Sequence, residues 1–487
     1  MMHDDEPNPF DVIALEPAFA APQTCACVSQ PLAVAAPSPI TESVCPECLA
    51  RIPARRVTRG DDVYLEKSCP QHGDFQTIIW RGQPSFAGWV RPKIPTAPQN
   101  PFTPVERGCP FDCGLCPDHR QHTCTALLEV TQRCNLHCPF CFADAGNGAS
   151  TDPSLTVVEG WFRRLLESGG PVNVQLSGGE PTVRDDLPAI VTLGRKLGFR
   201  FIQVNSNGIR LARQPEYLQR LKAAGLSSVF LQFDGLDDKI YQRLRGAKLF
   251  ALKQAAIAAC AEQGIGVVLV PTVVPGVNDT AIGAIIDFAL RCGPAVRGVH
   301  FQPVSYFGRY PQPPADRDRL TIPDILRAIE AQTGGRVKCA TLRPSGCENA
   351  RCSFHGNFVR MPDGTLKPWA QPADQSCCSP PIDAASGAAK TRKFTAQYWA
   401  MPNTVELQAS NGPDLDGWDQ FLARVQTHSF SLSGMAFQDA WNLDLERLRD
   451  CCIHTVSPDG CIIPFCAYNL TDRHGQPLYR NRNGLPG

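Results

Sequence analysis

The stretch that decides the fold is Glu129-Val-Thr-Gln-Arg-Cys134-Asn-Leu-His-Cys138-Pro-Phe-Cys141, which completes an apolar run at 126–130. The run predicts a strand, so the three cysteines, spaced C-x3-C-x2-C, lie on the loop that follows it. Thiolates suit iron–sulfur clusters, and a [4Fe–4S] cube normally takes four of them. Three ligands on one loop therefore leave one iron open to an external ligand. By itself, the spacing is also compatible with a zinc knuckle.

A second motif, at the end of the next predicted strand, favours the cluster. The strand at 172–176 is followed by Ser177-Gly178-Gly179-Glu180-Pro181. Glycines let the backbone approach a ligand closely, because no Cβ intrudes, and a buried carboxylate at a strand end can pair with an ammonium. An isolated GGEP is a weak signal, but at this distance after the cysteine loop the combination is specific.

From about residue 125, strands and helices alternate. The predicted strands cover 126–130, 172–176, 201–205, 229–233, 267–270 and 298–303. The predicted helices cover 156–168, 187–197, 215–224, 249–262 and 281–292, with Thr156 and Glu159 as a capping box for the first. Alternation of this kind predicts an α/β fold with a parallel sheet and right-handed crossovers. Six units are too few for an eight-stranded barrel, so we expect an open, TIM-like partial (β/α)6 barrel.

With these motifs in place, residues 126–308 resemble the core of the radical S-adenosylmethionine (SAM) superfamily. The resemblance implies that the catalytic cysteines Cys134, Cys138 and Cys141 hold a [4Fe–4S] cluster that cleaves SAM reductively, and that the resulting 5′-deoxyadenosyl radical abstracts hydrogen from an unactivated carbon. It also implies a set of cofactor-binding residues. Those near the methionine amino group are Gly178, Gly179, Glu180 and Pro181, and those near the ribose or elsewhere along SAM are Asn205, Asn207, Gln232 and Arg245. Gln232 stands where many members have serine.

Composition bounds the protein's setting. The chain has 487 residues with 23 cysteines, and Lys plus Arg equals Asp plus Glu at 47 each. An acidic start without an apolar segment argues against a signal peptide and for the cytoplasm, where cysteines favour metal binding over disulfides. The balanced charge argues against a nucleic-acid partner.

Two further metal sites are predicted before the core. Cys109, Cys113 and Cys116 repeat the C-x3-C-x2-C spacing without a preceding strand or a second GGEP, which favours an auxiliary [4Fe–4S] cluster with Cys124 as a candidate fourth ligand. A second SAM-cleaving cluster is the alternative. The other site has two-knuckle, rubredoxin-like spacing for one iron or zinc ion, with the ligands Cys45, Cys48, Cys69 and His72.

The C-terminal cysteines lie in a Pro- and Gly-rich region without the βα rhythm, and they predict an auxiliary Fe–S domain. They are Cys347, Cys352, Cys452, Cys461 and Cys466. Only one cysteine of each adjacent pair, Cys377-Cys378 and Cys451-Cys452, is expected to ligate. One or two auxiliary [4Fe–4S] clusters are thus expected in the whole chain.

The resulting division has five parts. They are a disordered tail (1–40), a rubredoxin-like metal-binding domain (41–100), a cysteine-rich auxiliary segment (101–124), the radical SAM core (125–330) and a C-terminal auxiliary Fe–S domain (331–487).

A narrower resemblance covers about residues 42–480. The two-knuckle site, GCP-x-DCGLCP-x-H-x-QHTC, the core and a C-terminal CCIH…GC-IIPFCAYN are together similar to the tetraether lipid synthase and methanopterin C-methyltransferase group. This implies carbon–carbon bond formation or C-methylation at an unactivated carbon of a lipid or pterin-like substrate. Residues 434–442 also resemble that group, and they form either an apolar, partly aromatic substrate wall or ordinary core.

Two other functions stay open at this point. One is a radical SAM enzyme of cofactor or peptide maturation, and the other is a non-catalytic, multi-cluster electron-transfer protein. The motifs after the second and third strands favour catalysis, because electron transfer needs no SAM pocket. The expected partners are a small-molecule or lipid substrate and an electron donor such as flavodoxin or ferredoxin; peripheral contact with a membrane stays open.

Overall fold

The computed structural model describes residues 38–146, 151–369, 381–402 and 417–480. Nearly all of the predicted tail and the pair Cys377-Cys378 lie outside these ranges. Among the helices in the described ranges, none combines the length and the apolar character needed to cross a membrane.

The first unit is a four-stranded antiparallel sheet with the strands in sequence order. Its strands are β1 (Ile40–Val44), β2 (Arg51–Arg59), β3 (Asp62–Cys69) and β4 (Gly73–Trp80). Buried and exposed residues alternate along β2 and β3, as expected for a sheet with one covered face. Because β1 and β3 run in the same direction, the turns that follow them meet at one end of the sheet. Both predicted metal-binding knuckles lie in those turns.

The central unit is an α/β sheet in which six parallel strands neighbour one another in sequence order. After the short β5 (Lys93–Ile94), its strands are β6 (Thr125–Thr131), β7 (Asn173–Gly178), β8 (Ile202–Ser206), β9 (Ser228–Gln232), β10 (Gly266–Val270), the short β11 (Thr272–Val273) and β12 (Val296–Pro303). Its helices are α1 (Leu155–Glu167), α2 (Leu187–Lys196), α3 (Ile209–Arg213), α4 (Pro215–Ala223), α5 (Asp238–Arg245), α6 (Phe250–Glu262), α7 (Ile282–Arg291) and α8 (Ile322–Gln332).

All six predicted strands and all five predicted helices of this unit are confirmed. The sequence succeeds here because these strands are covered on both faces: β10, for example, is buried along its whole length. The predicted capping box of α1 is wrong. Ser154 is the N-cap, and its side chain accepts a hydrogen bond from Val157 N at 3.3 Å, so Thr156 and Glu159 lie inside the helix.

The C-terminal segments join the same sheet at both of its ends. Their strands are β13 (Ser353–Arg360), β14 (Leu366–Pro368), β15 (Ile382–Asp383), β16 (Ser429–Met435), β17 (Ile453–Val456) and β18 (Ile462–Pro464), and their helices are α9 (Ala384–Tyr398), α10 (Gly417–His428), α11 (Leu445–Arg449) and α12 (Phe465–Tyr468). Of these strands, β15 lies outside the central sheet and pairs with β5. β16 pairs parallel with β12, and β17 pairs parallel with β6. Antiparallel β13, β14 and β18 then make the sheet mixed.

This arrangement places the C-terminal cysteines beside the core rather than apart from it. β17 lies directly next to β6, the strand that leads into the cysteine loop. The hydrogen-bonded path through the described strands runs from β14 to β18. Its curvature into a partial barrel remains a prediction.

Candidate active site and metal centres

The cysteine loop follows β6, and its three cysteines, Cys134, Cys138 and Cys141, are all half-buried. The loop is closed at its base, where Gly146 N donates to Gln132 O at 3.1 Å. Placement after the carboxyl end of a parallel strand is where α/β enzymes carry their catalytic loops.

Arg309, in the segment after β12, clamps this loop. Its backbone forms an isolated antiparallel bridge with Cys141, with both N–O distances at 2.9 Å. Its guanidinium donates to Cys138 O at 2.9 Å and to Ala145 O at 3.1 Å. Arg309 therefore fixes the loop at two of the three cysteines, at Cys141 through its backbone and at Cys138 through its side chain.

The spacing of the three sulfurs suits a cluster better than one ion. Ligands of a single ion with metal–sulfur bonds of about 2.3 Å are at most roughly 4.6 Å apart. Within the described ranges, the three sulfurs are not in any set of donors lying within 4.8 Å of one another, whereas the donors of the N-terminal sheet are. The three sulfurs are therefore not grouped as the ligands of one ion are, and their binding of a [4Fe–4S] cluster stays a prediction.

The two glycines after β7 fit against the cysteine loop. A Cβ on Gly178, whose φ is +113°, would lie 2.1 Å from Thr131 O, and one on Gly179 would lie 2.2 Å from Arg133 O. Gly179 N and Glu180 N donate to those same two carbonyls at 2.8 and 2.9 Å. The glycines are needed for backbone-to-backbone docking of two loops, a reason that differs from the expected close approach to a ligand.

Glu180 ties the end of β7 to the end of β8. Its carboxylate is 2% exposed and accepts hydrogen bonds from Ser206 Oγ at 2.8 Å and from Asn207 N at 2.7 Å. It also caps the short 3-10 helix at Pro181–Val183 through Thr182. The predicted amino-group contact thus lies at a carboxylate that the fold holds rigidly.

Asn205 and Asn207 lie at the end of β8. Asn207 Nδ2 donates to Asn135 Oδ1 of the cysteine loop at 2.7 Å. Asn205 Nδ2 donates to Ser177 Oγ at 3.3 Å, while its Oδ1 is buried with no hydrogen-bond partner among the described atoms. A buried acceptor without a partner fits a bound molecule that brings hydroxyl donors.

Gln232 and Arg245 belong to one buried charge network. Gln232 Oε1 accepts from Lys253 Nζ at 2.8 Å, and its amide donates to Asp234. Asp234 is fully buried and pairs with Arg245 through two hydrogen bonds of 2.7 and 2.8 Å. Burial lowers the pKa of the Lys253 ammonium to about 7. Burial alone would also lower the pKa of Arg245, but Asp234 more than offsets it, so that pKa is raised.

Arg245 also contacts the cysteine loop. Its Nη1 donates to Phe140 O at 3.3 Å, and its guanidinium lies within hydrogen-bonding reach of the Cys138 thiol. The network therefore places a fixed positive charge beside the predicted cluster.

A second buried ion pair lies behind the loop. Glu129, near the end of β6, is bound through both oxygens by Arg480 at 2.6 and 2.7 Å. Both side chains are only 5–6% exposed. The C-terminal segment is thereby fastened beneath the cysteine loop.

The N-terminal sheet brings its four predicted ligands together. The ligand atoms of Cys45, Cys48, Cys69 and His72 all lie within 4.8 Å of one another. Cys45 and Cys69 are buried, whereas Cys48 and His72 are exposed. The set is therefore shaped for one tetrahedral ion at the surface.

Cys109, Cys113 and Cys116 surround a small cavity of about 280 Å³, open mouth included, which His119 and Leu448 help to line. Cys124 lies elsewhere, so the structure does not support it as their fourth ligand. Its thiol is within hydrogen-bonding reach of Cys347 and Cys452, and the three form one buried cluster.

The five predicted C-terminal ligands divide into separate places. Cys347 and Cys452 lie together, while Cys352 and Cys466 lie near Cys451, whose pKa is raised first by burial and then by those two thiols. Adjacent Cys451 and Cys452 thus lie in different groups, and the expectation that only one of them is a ligand stays a prediction. Cys461 lies at the far end of the β17–β18 hairpin, where Ser457 N donates to Cys461 O at 2.9 Å. Ser457 is five residues, or about 16 Å, along the strand from Cys452.

Residues 434–442 are partly buried and partly half-buried. Phe437 packs on Phe465 with ring centroids 4.5 Å apart, and Asp439 is fully buried against Arg319. Trp441 also borders an aromatic cluster next to the cysteine loop.

Sequence analysis missed several residues of this site. Arg309, Lys253 and Arg480 carry no local motif, since each reaches the site through tertiary packing. Asp234 directly follows the predicted strand at 229–233, and an acidic residue at the end of a buried strand was the signal that could have found it.

Comparisons with known proteins agree with this site. The Radical SAM superfamily model matches residues 128–289, and a model described as the HMPTM N-terminal zinc ribbon domain matches residues 39–81. The chain is 35% identical over 474 residues to 7,8-dihydro-6-hydroxymethylpterin dimethyltransferase of Methanocaldococcus jannaschii, which covers 89% of this chain and 94% of the relative.

Two further similarities cover less than half of this chain. A probable GTP 3′,8-cyclase of Methanococcus aeolicus is 29% identical over 195 residues, covering 38% of this chain and 62% of that protein. The structure of Streptococcus suis SuiB bound to S-adenosylmethionine aligns with a TM-score of 0.34 at 18% identity, covering 44% of this chain and 47% of that one.

The match at 35% identity extends over 89% of this chain and 94% of the relative. The chain therefore belongs to the radical SAM superfamily of enzymes.

Proposed function

We propose that this enzyme is a radical SAM C-methyltransferase acting on a reduced, pterin-like heterocycle. The observation that carries the proposal is the match at 35% identity over 89% of this chain and 94% of the pterin dimethyltransferase of M. jannaschii. The edge-to-face rings described below give the heterocycle further support over a lipid.

Cys134, Cys138 and Cys141 would hold the [4Fe–4S] cluster. That cluster, when bound, supplies the electron that splits SAM into methionine and a 5′-deoxyadenosyl radical. The protein's part is to hold the loop still. Arg309 fixes the backbone at Cys138 and Cys141, and the Asp234–Arg245 pair keeps a positive charge beside it.

The SAM-binding residues follow from the strand ends. We assign the amino group to the region of Glu180 and the glycines, and the ribose to Asn205, whose buried Oδ1 lacks a partner among the described atoms. Gln232, held by Lys253, would line the same mouth of the sheet.

An aromatic cluster next to the cysteine loop is the proposed substrate wall. Phe140, Tyr306, Tyr310 and Trp441 stand edge to face in succession, with ring centroids 5.9–6.4 Å apart. Asp439 positions two of them, because it accepts hydrogen bonds from Tyr306 N at 2.9 Å and from Trp441 N at 3.1 Å. Such rings favour contact with a flat heterocycle.

The remaining sites are assigned supporting roles. Cys109, Cys113 and Cys116 would hold an auxiliary [4Fe–4S] cluster, with a second among the C-terminal cysteines. Cys45, Cys48, Cys69 and His72 would hold zinc or iron. A ferredoxin or flavodoxin would supply electrons.

The test is anaerobic reconstitution with iron, sulfide, SAM and a strong reductant, with and without 7,8-dihydro-6-hydroxymethylpterin. We expect 5′-deoxyadenosine in both cases, and a pterin product heavier by one or two methylene units only when pterin is present. SAM labelled at its methyl carbon shows whether that carbon enters the product.

Each of the two measurements, 5′-deoxyadenosine formation and the change in the pterin, has a result that would contradict the proposal. A protein with full cluster spectra that makes no 5′-deoxyadenosine is not a SAM-cleaving enzyme. Abundant 5′-deoxyadenosine without any change in the pterin, in a protein that does modify a lipid extract, would replace the substrate class.

A further inference from the structure

Three buried cysteines and one buried carboxylate converge where the auxiliary segment meets the C-terminal region. Cys124, Cys347 and Cys452 are 0–2% exposed, and Glu348 is 8% exposed. The ligand atoms of Cys347, Glu348 and Cys452 lie within 4.8 Å of one another. The Cys124 thiol is within hydrogen-bonding reach of both other thiols.

The fold builds this convergence from paired strand ends. Cys124 and Cys452 directly precede β6 and β17, which pair in parallel, and Cys124 N donates to Cys452 O at 2.8 Å. Cys347 is held by its carbonyl, which accepts hydrogen bonds from Lys93 Nζ at 2.9 Å and from Gln121 Nε2. Four separate segments therefore fix the group.

The surroundings of Glu348 indicate that a positive charge is missing from this group of side chains. The carboxylate of Glu348 takes part in none of the salt bridges of the described residues, and its hydrogen bonds come from Ser353 Oγ and, at 3.5 Å, from the Cys452 thiol. A buried carboxylate without a cation is costly. A bound metal removes that cost, because it supplies the positive charge at the oxygen itself.

Two side chains farther from this group are positively charged, as a negatively charged metal centre would require. Burial lowers the pKa of Arg91, and Arg91 lies close enough to Glu348 for the charge of that carboxylate to raise it in part. Hydrogen bonds with the other two thiols lower the pKa of Cys124, and the charge of Arg392 lowers it further. Three thiolates and a carboxylate around a divalent ion or a cluster leave net negative charge, which these cations balance without taking ligand positions.

We propose that Cys124, Cys347, Cys452 and Glu348 bind one thiophilic metal centre in which Glu348 is the oxygen ligand. Sulfur ligands select iron or zinc, and carboxylate oxygens complete such sets at about 2.0–2.2 Å. A carboxylate oxygen is a weaker ligand for iron than a thiolate, so it marks one metal position of the site as different from the rest.

Two forms share this ligand chemistry, and the experiment separates them. The holoprotein is purified anaerobically as the full chain, and its iron, zinc and sulfide are counted alongside an iron-57 Mössbauer spectrum. Glu348→Gln and Cys347→Ala are compared with Ser353→Ala, which removes a partner of Glu348 but no ligand. Cys260→Ala serves as a matched loss of a buried cysteine that lies alone in α6.

For a cluster, we expect Cys347→Ala to lose about four iron and four sulfide per chain, and Glu348→Gln to change one iron environment in the spectrum. For a single ion, both variants lose about one metal and no sulfide. Glu348→Cys retains the metal in either case, and both controls match the unaltered protein.

Two results overturn the proposal. If Glu348→Gln keeps the metal count and the spectrum of the unaltered protein, Glu348 is not a ligand. If Cys347→Ala also keeps both, no centre exists there. Neither outcome depends on SAM cleavage, which is scored separately by 5′-deoxyadenosine.

Discussion

At the scale of single residues, Cys134 and Cys109 open identical spacings in different surroundings. Cys134 is half-buried on the loop after β6, close to the GGEP segment, whereas Cys109 is 8% exposed and packs in a cluster with Val44 and Leu49 of the ribbon. The same cysteine spacing therefore lies on a half-buried loop in one place and begins at a buried cysteine in the other.

We expect Cys134→Ala to abolish 5′-deoxyadenosine formation, because the SAM-binding cluster loses a ligand. Cys109→Ala should lower the iron count by about one cluster, or four iron, while leaving part of the 5′-deoxyadenosine per remaining cluster. Product is measured by chromatography against iron content. Cys260→Ala is the control, and equal loss of product in Cys109→Ala would move the catalytic role to both sites.

Arg309 acts on the cysteines only through their backbone. Arg309→Ala removes charge-assisted hydrogen bonds to Cys138 O and Ala145 O, each worth about 1.5–3 kcal/mol. We expect the EPR signal of the reduced cluster to broaden when SAM is added, or to show no response to SAM. We expect iron to be lost from that cluster only.

The matched control for this prediction is Arg317→Ala, whose side chain is 87% exposed. If the EPR signal of Arg309→Ala with SAM matches that of the control, the clamp does not position the cluster.

At the scale of elements, the junction between the ends of β6 and β7 admits only glycine at two positions. Gly178→Ala combines a positive φ of +113° with a Cβ 2.1 Å from Thr131 O, whereas Gly198→Ala has a positive φ of +93° and no atom within 4 Å. Backbone strain alone costs about 1–3 kcal/mol.

We therefore expect Gly198→Ala to lose about that amount of stability, and Gly178→Ala to lose more and also to release the cysteine loop. Urea unfolding measures the first effect, and cluster incorporation measures the second. Equal stability and equal incorporation in the two variants would show that the loops are not docked as described.

At the scale of the whole molecule, buried histidines make the fold sensitive to acid. Burial lowers the pKa of His300 to about 4, below its ordinary 6.5. The unfolded chain then binds the proton more readily between those values, so stability is lost as the pH falls from about 6.5 towards 4. His300 lies among Phe230, Trp399 and Ser433, away from the predicted metal ligands.

We expect His300→Phe to lose about 1 kcal/mol less stability than the unaltered protein when the pH is lowered from 7.5 to 5.5. The free energy of unfolding is measured against pH for both proteins, and the difference between the two is compared. Metal release affects both proteins alike and therefore cancels in that difference. Parallel curves would show that folding does not lower the pKa of His300.

The sequence by itself determined the parts governed by local patterns. The six parallel strands follow from short apolar runs covered on both faces, and the cysteine loop and GGEP segment from fixed spacings next to them. The two-knuckle site was predicted as well, because its four ligands come from turns at one end of a small antiparallel sheet. In each case the deciding contacts join residues close in the chain or in adjacent strands.

Only the tertiary structure decided how distant segments meet. It placed Cys124 with Cys347 and Cys452 rather than with Cys109, it separated Cys461 from Cys466, and it brought Arg309 to the loop. Pairing of β17 with β6 joins positions more than 300 residues apart. A spacing rule cannot supply such contacts, because they depend on which edges of the sheet the C-terminal strands find unpaired.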